Sequence, residues 1–335
     1  MGKGKERRFE LDVVRFFAII FMITIHVYEY LGSYDQDNVM PDSAFRNIME
    51  FLGGPPVAPV LMFCMGIGMI YTKHSTPGDF LRRGVKLMII GYTLNFLKLT
   101  LPQLIGKLLG AEDDFDIIGG LLCVDILTFA GAAFIVIGLL RKLQVSTFAI
   151  CTIAFLLQGA GIWAVNLNIE SRILRGLAGV LLPTGYWAAF PLTLWLVYPA
   201  LGMAFGEFLQ KTTDKRGMYK KLMIISAAIH AACTAGLVYI GYDLRRSYAV
   251  CDNSFYHQTF ISTNLNKIFI IQWLLISVTV TLTALLELEF KLQPPMIVLL
   301  GLVYTAVALG IAKIIQSISG RRKIRKMKEN GKEFH

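Results

Sequence analysis

The sequence predicts an all-α, polytopic transmembrane helical bundle, built as one integral membrane domain over residues 1–335. Three observations carry that prediction. The chain is 55% hydrophobic and only 17% charged, with a mean hydropathy of +0.57, far from an ordinary soluble composition. Nine apolar stretches approach the roughly 20 residues that a helix needs to cross a bilayer. Lys and Arg gather in the short segments between them, the pattern that marks the cytoplasmic side of a membrane protein.

The nine stretches lie near 10–32, 52–72, 86–107, 117–140, 146–165, 187–209, 221–242, 266–287 and 294–318. The basic segments "KGKERR", "KHSTPGDFLRRGVK" (73–86), "RK" (141–142) and "KTTDKRGMYKK" (211–221) alternate with the acidic "SYDQDNVMPD" (33–42) and "AEDDFD" (111–116). The basic set is expected in the cytoplasm with the N-terminus, and the acidic set outside. Nine crossings leave the basic tail "GRRKIRKMKENGK" outside, against the same rule, so about ten helices are expected. The short "ESRILRGLAGVLLPTGYW" (170–187) is the candidate for the tenth, although its crossing would put 211–221 on the wrong side.

The net charge of +10 sits in these loops and not in a nucleic-acid patch; it suits anionic lipid or a phosphorylated ligand. Five cysteines, mostly inside apolar runs, make no disulfide framework and no metal-binding spacing, so no metal is expected. "MGKGKERRFEL" runs into the first span without a small-residue cleavage site and is read as a retained anchor. Gly66 and Gly68, in "MFCMGIGM", suit close helix packing better than a nucleotide loop.

Ionisable groups inside the spans carry the chemistry. Arg15 and His26 lie eleven residues apart in "LDVVRFFAIIFMITIHVYEYLG", which puts them on one helix face about 16 Å apart. Asp12, Arg15, Met22, His26 and Tyr30 follow the same stripe. Such groups are costly in a bilayer unless they face a protein interior or a water-filled cavity. Asp125 sits at nearly the depth of His26; it either orients the imidazole or neutralises Arg15 or Lys98. His230 has no polar companions and is read as core. Arg82, Arg83 and Lys86 open the third span, as a positive-inside anchor or as a phosphate clamp.

The first span resembles the opening motif of the acyltransferase-3 family of integral membrane acyltransferases. Four further stretches are more similar to the related heparan-α-glucosaminide N-acetyltransferase-like proteins. These are "PPVAPVLMFCMGIGMIY" (55–71), "VDILTFAGAAFIVIGLLRKL" (124–143), "FPLTLWLVYPALGMAFGEFL" (190–209) and "NKIFIIQWLLIS" (266–277). The resemblance implies a bundle that moves an acetyl or other acyl group from cytosolic acetyl-CoA to a hydroxyl or amine of a sugar, glycolipid or other cell-envelope acceptor at the outer face. By the same resemblance His26 is the proton acceptor, Arg15 its companion in the motif, and Arg82, Arg83 and Lys86 hold the CoA. The sequence departs from the acyltransferase-3 pattern at Arg15-Phe16, where Gly usually follows the Arg, and at Met65-Gly66, where Ser-Gly is frequent. In the heparan-type proteins Asn often occupies the position of His26. These departures bear on the acceptor more than on the reaction class.

An imidazole has an ordinary pKa of about 6.5 and is largely neutral at pH 7, as a general base requires. His26 is expected to deprotonate the acceptor as it attacks the thioester, with Asp125 orienting the ring; an acetyl-imidazole intermediate is the other route. Asn95, Lys98, Asn166, Trp187, Asn264 and Gln272 are polar residues that could line the acceptor or thioester site, and no individual role is assigned to them. Two other classes fit the same groups: a proton-coupled transporter using Arg15, His26 and Asp125, and a non-catalytic subunit. A bacterial plasma membrane is the expected location, the lipid bilayer the expected environment, and homo-oligomerisation is left open.

Overall fold

The structure, a computed structural model, describes residues 9–32, 43–54, 57–110, 116–165, 169–185, 187–239, 265–285 and 292–329. The N-terminal basic segment, the acidic stretches 33–42 and 111–115, Asn166 and Asn264 lie outside the described residues. Among the described residues the regular structure is helical, with two isolated β-bridges, Gly32 to Leu292 and Val124 to Ala188. The chain forms two compact units: Met1–Ala18 with Gly54–Ile261, and Ile19–Gly53 with Ser262–His335. Helix α1 (Phe9–Leu31) contributes its first turns to the first unit and the rest to the second.

The first unit is organised around two tight helix pairs. Helix α3 (Ala58–Tyr71) packs against α11 (Val197–Lys211) at a glycine crossing. A methyl group on Gly66 would lie 2.0 Å from the Pro199 carbonyl oxygen, and one on Gly202 would lie 2.0 Å from that of Phe63. The backbones therefore touch, as small residues allow in membrane bundles. Gly66 has the packing role expected of it, whereas a methyl group on Gly68 would lie 3.7 Å from Arg15 Nη2.

Helix α4 (Pro77–Asn95) pairs with α7 (Ile126–Lys142) through Gly84 and Gly131, where an added methyl would meet the opposite carbonyl oxygen at 2.7 and 2.8 Å. Helix α4 starts at Pro77, ahead of the apolar stretch expected from 86, because its cap lies in the loop. The Thr76 hydroxyl accepts from the Asp79 amide (3.1 Å) and Asp79 Oδ2 accepts from the Thr76 amide (3.3 Å), a reciprocal capping box. A π-helical turn, Phe96–Thr100, then leads to α5 (Leu101–Leu108). Pro102 has no amide to offer the helical ladder, which accounts for the widened turn before it.

The stretch expected as a single span at 117–140 is broken. Helix α6 (Ile117–Leu121) ends, Val124 bridges to Ala188, and α7 begins only after Asp125, its N-cap. The buried Asn95 holds the break, with its Nδ2 donating to the Cys123 carbonyl at 2.6 Å. Helix α8 (Thr147–Ala164) follows. The suspected tenth crossing at 170–187 is instead α9 (Arg172–Ala178) and a series of turns. Its seven helical residues span about 10 Å, a third of a bilayer core. Helix α10 (Leu192–Trp195) precedes α11, and α12 (Lys215–Tyr239) closes the described part of the unit.

The second unit joins the later part of α1 to α2 (Ala44–Gly53), α13 (Leu265–Leu285) and α14 (Pro294–Glu329). Its core includes Ile19, Ile23, Val27, Leu31, Ile276, Tyr304 and Ala308. The Leu292 amide donates to the Leu31 carbonyl (2.9 Å), and further along α14, Gly301 abuts Thr24. Helix α14 therefore runs antiparallel to this part of α1 and carries its basic end, from Arg321, back toward the side where α1 starts. That direction removes the conflict between the tail and the positive-inside rule without a crossing at 170–187.

Among the described residues Leu11–Leu31, Pro77–Leu108, Thr147–Ala164, Leu192–Lys211 and Pro294–Ile318 are long and apolar enough to cross a membrane, and the stretch expected at 52–72 contains α3. Of the other three, 117–140 is broken as described, while 221–242 and 266–287 overlap α12 and α13. Exposed apolar side chains such as Ile224, Ile225 and Ile229 on α12 suit a lipid-facing surface.

Candidate functional site

Two polar clusters are built on α1, one in each unit. In the first, Arg15 is largely buried; its Nη2 donates to the Cys64 carbonyl of α3 at 2.8 Å, and Nη1 lies 3.6 Å from Asp12 Oδ1 one turn away. The Arg83 guanidinium stacks over the Phe134 ring of α7, 4.6 Å from its centroid. Arg82 and Lys86 are exposed on a neighbouring face of α4, four residues apart. All three residues of the expected basic cluster, Arg82, Arg83 and Lys86, are exposed, and Arg83 is the one stacked on Phe134.

The second cluster surrounds His26. Its Nδ1 lies 3.1 Å from Nε2 of Gln272, a fully buried residue of α13. Trp273 lies against the imidazole with ring centroids 4.3 Å apart and planes inclined by 36°, and also meets Tyr30 edge-on at 5.4 Å. Gln272 and Trp273 thus contact the imidazole at Nδ1 and at one face. Gln272 Oε1 is buried and has no hydrogen-bond partner. A half-turn of the amide lets Oε1 accept from Nδ1–H of His26.

Asp125 has a distinct local role. Its carboxylate accepts from the Lys98 Nζ of the π-helical turn, and its Oδ1 accepts from the Ile126 amide at 2.6 Å. The side chains of Lys98 and Asp125 are 5% and 14% exposed, so this is a largely buried ion pair at the α6–α7 break. Of the two roles open to Asp125 from sequence, the neutralisation of Lys98 is among its described contacts.

Gln272 and Trp273 were without assigned roles in the sequence, although both fall inside "NKIFIIQWLLIS". An amide in an otherwise apolar run was the available signal; the seven-residue offset into α13 that brings it level with His26 was not. His230 is half-buried on α12 and not in the core. Among the described residues no group of His, Cys, Asp and Glu is arranged to hold a metal ion.

A helical membrane bundle with a half-buried Arg and His on its first helix is the class these features define. The description "Heparan-alpha-glucosaminide N-acetyltransferase, catalytic" matches residues 7–244, and the chain belongs to that family of membrane acetyltransferases. No curated protein and no solved structure matches it. Membership accords with the sequence resemblance and favours acyl transfer over the transporter and non-catalytic readings.

Proposed function

We propose that the protein takes an acetyl group from cytosolic acetyl-CoA and passes it to a hydroxyl or amine of a sugar or other envelope acceptor at the outer face, with His26 as general base. The observation that carries this reading is the imidazole held by Gln272 and Trp273 near one end of the helix that bears Arg15 toward the other. In this reading the N-terminus is cytoplasmic and the membrane is a bacterial plasma membrane. Arg82, Arg83 and Lys86 meet the CoA phosphates. The apolar arm of CoA runs along α1, whose Arg15-to-His26 strip is about 16 Å long.

The step balances without another reactant. The acceptor oxygen or nitrogen attacks the thioester carbonyl while His26 Nε2 takes its proton, and the C–S bond then breaks. The CoA thiolate recovers that proton from the imidazolium. Gln272 Oε1, accepting from Nδ1–H, fixes the tautomer that this requires. Asp125 fixes, with Lys98, the break from which α7 begins.

The experiment follows release of CoA thiol from acetyl-CoA by the protein in proteoliposomes, with glucosamine as the probe acceptor. Gln272→Glu places a carboxylate beside the imidazole and favours its protonated form. Activity needs the neutral form, so the acidic limb of the pH–rate profile is expected to move upward by about one unit or more. Gln272→Leu slows release without that displacement. An unmoved profile in Gln272→Glu would remove His26 from the base role.

A further inference from the structure

A second polar cleft, within the first unit, lies between α6, α9 and the turn at 184–188, and is lined by Asp116, Arg172, Arg175, Thr184 and Trp187. Its parts are fixed. Asp116 caps α6 through the Gly119 amide (3.0 Å) and accepts from the Trp187 indole Nε1 (2.8 Å), which sets the plane of the ring. Gly119 is required beneath the indole, because a methyl there would lie 2.3 Å from Trp187 Nε1. The Arg175 Nε donates to the Ile169 carbonyl at 2.7 Å, and Thr184 Oγ1 donates to the Arg175 carbonyl at 2.9 Å. Gly185, with φ +117°, makes the return turn in a conformation that other residues rarely adopt.

The opposite side of α9 is apolar and open. Ile173, Leu174 and Leu177 are 55%, 60% and 55% exposed, and the following Leu181 is 52% exposed. A helix too short to cross, with one basic and one exposed apolar side, settles at the boundary between lipid and water. The cleft therefore presents two guanidinium groups and an aromatic plate beside a hydrocarbon-facing rim. Guanidinium forks suit phosphate, and an indole face suits a sugar ring. A water-soluble ligand makes no use of the apolar rim; a lipid-borne one does.

We propose that this cleft is the acceptor site, and that its acceptor is a membrane-anchored glycosyl phosphate. Arg172 and Arg175 hold the phosphate, Trp187 stacks on the sugar, and the lipid chain follows Ile173, Leu174 and Leu177. The assignment rests on the acetyltransferase reading for the word acceptor, but its binding chemistry is measured apart from transfer.

The full chain in phosphatidylcholine nanodiscs is titrated by calorimetry, without acetyl-CoA, with dodecyl phosphoglucose, glucose 1-phosphate, dodecyl glucoside and phosphatidic acid. Dodecyl phosphoglucose is expected to bind at least tenfold more tightly than each of the other three. Arg172→Ala/Arg175→Ala is expected to weaken it at least tenfold, Arg172→Lys/Arg175→Lys less, with retained acetyl-CoA binding as the check of folding. Equal binding of the neutral glucoside, or indifference to the Ala variant, overturns the phosphate assignment. Glucose 1-phosphate binding as tightly overturns the anchored form, and equal binding of phosphatidic acid reduces the cleft to a lipid headgroup site. Loss of CoA release with this binding intact refutes acetyl transfer alone.

Discussion

His26→Ala is expected to lower CoA release in the presence of glucosamine by about 10²–10⁴-fold, the usual worth of a positioned general base. Acetyl-CoA affinity is expected to stay within about twofold of wild type, because the phosphates are assigned to Arg82, Arg83 and Lys86. Equal losses in affinity and rate would make His26 a binding or packing residue. Trp273 supplies an internal comparison. Its ring lies against the imidazole, so Trp273→Phe keeps an aromatic face and is expected to cost far less than loss of the base. A substantial rate in His26→Ala would move the proton transfer to another group.

Lys98→Met is expected to be the most destabilising of these single substitutions. It removes the cation facing Asp125 in a largely buried pair, and breaking such a pair from one side costs about 3–5 kcal/mol. The loss appears as a lower midpoint in thermal unfolding of the detergent-solubilised protein. Asp125→Asn in the same chain neutralises the carboxylate and keeps an oxygen for the Ile126 amide, so Lys98→Met/Asp125→Asn is expected to recover most of the midpoint. If both Lys98→Met and the double variant unfold at the wild-type midpoint, the ion pair contributes nothing to the α6–α7 break.

Much of the architecture was legible because apolar length is a strong signal in membrane chains. The long apolar runs at 10–32, 146–165 and 294–318 correspond to α1, α8 and α14. The break at 122–125 was hidden for a physical reason. Leu122, Cys123 and Val124 are as apolar as their neighbours, and what ends α6 there includes a side-chain amide from Asn95, twenty-eight residues earlier than Cys123. The capping box at Thr76 and Asp79 was readable, but it lies in a polar segment that a hydropathy boundary passes over.

The site divides in the same way. Arg15 and His26 stand out because an ionisable group in a span needs a reason to be there. Their partners depend on tertiary register. Cys64 receives Arg15 through its carbonyl, which any residue type would supply. Gln272 is one amide among several in the apolar runs, singled out by its place opposite His26. Arg82, Arg83 and Lys86 look alike in sequence, yet Arg83 is the one that lies over Phe134.

Calorimetric titration of the purified full chain with acetyl-CoA tests the central claim most directly. Wild type and His26→Ala are expected to bind saturably with similar affinity, and Arg82→Ala/Arg83→Ala at least tenfold more weakly. Absence of binding to folded wild-type protein would contradict acetyl transfer from CoA by this chain.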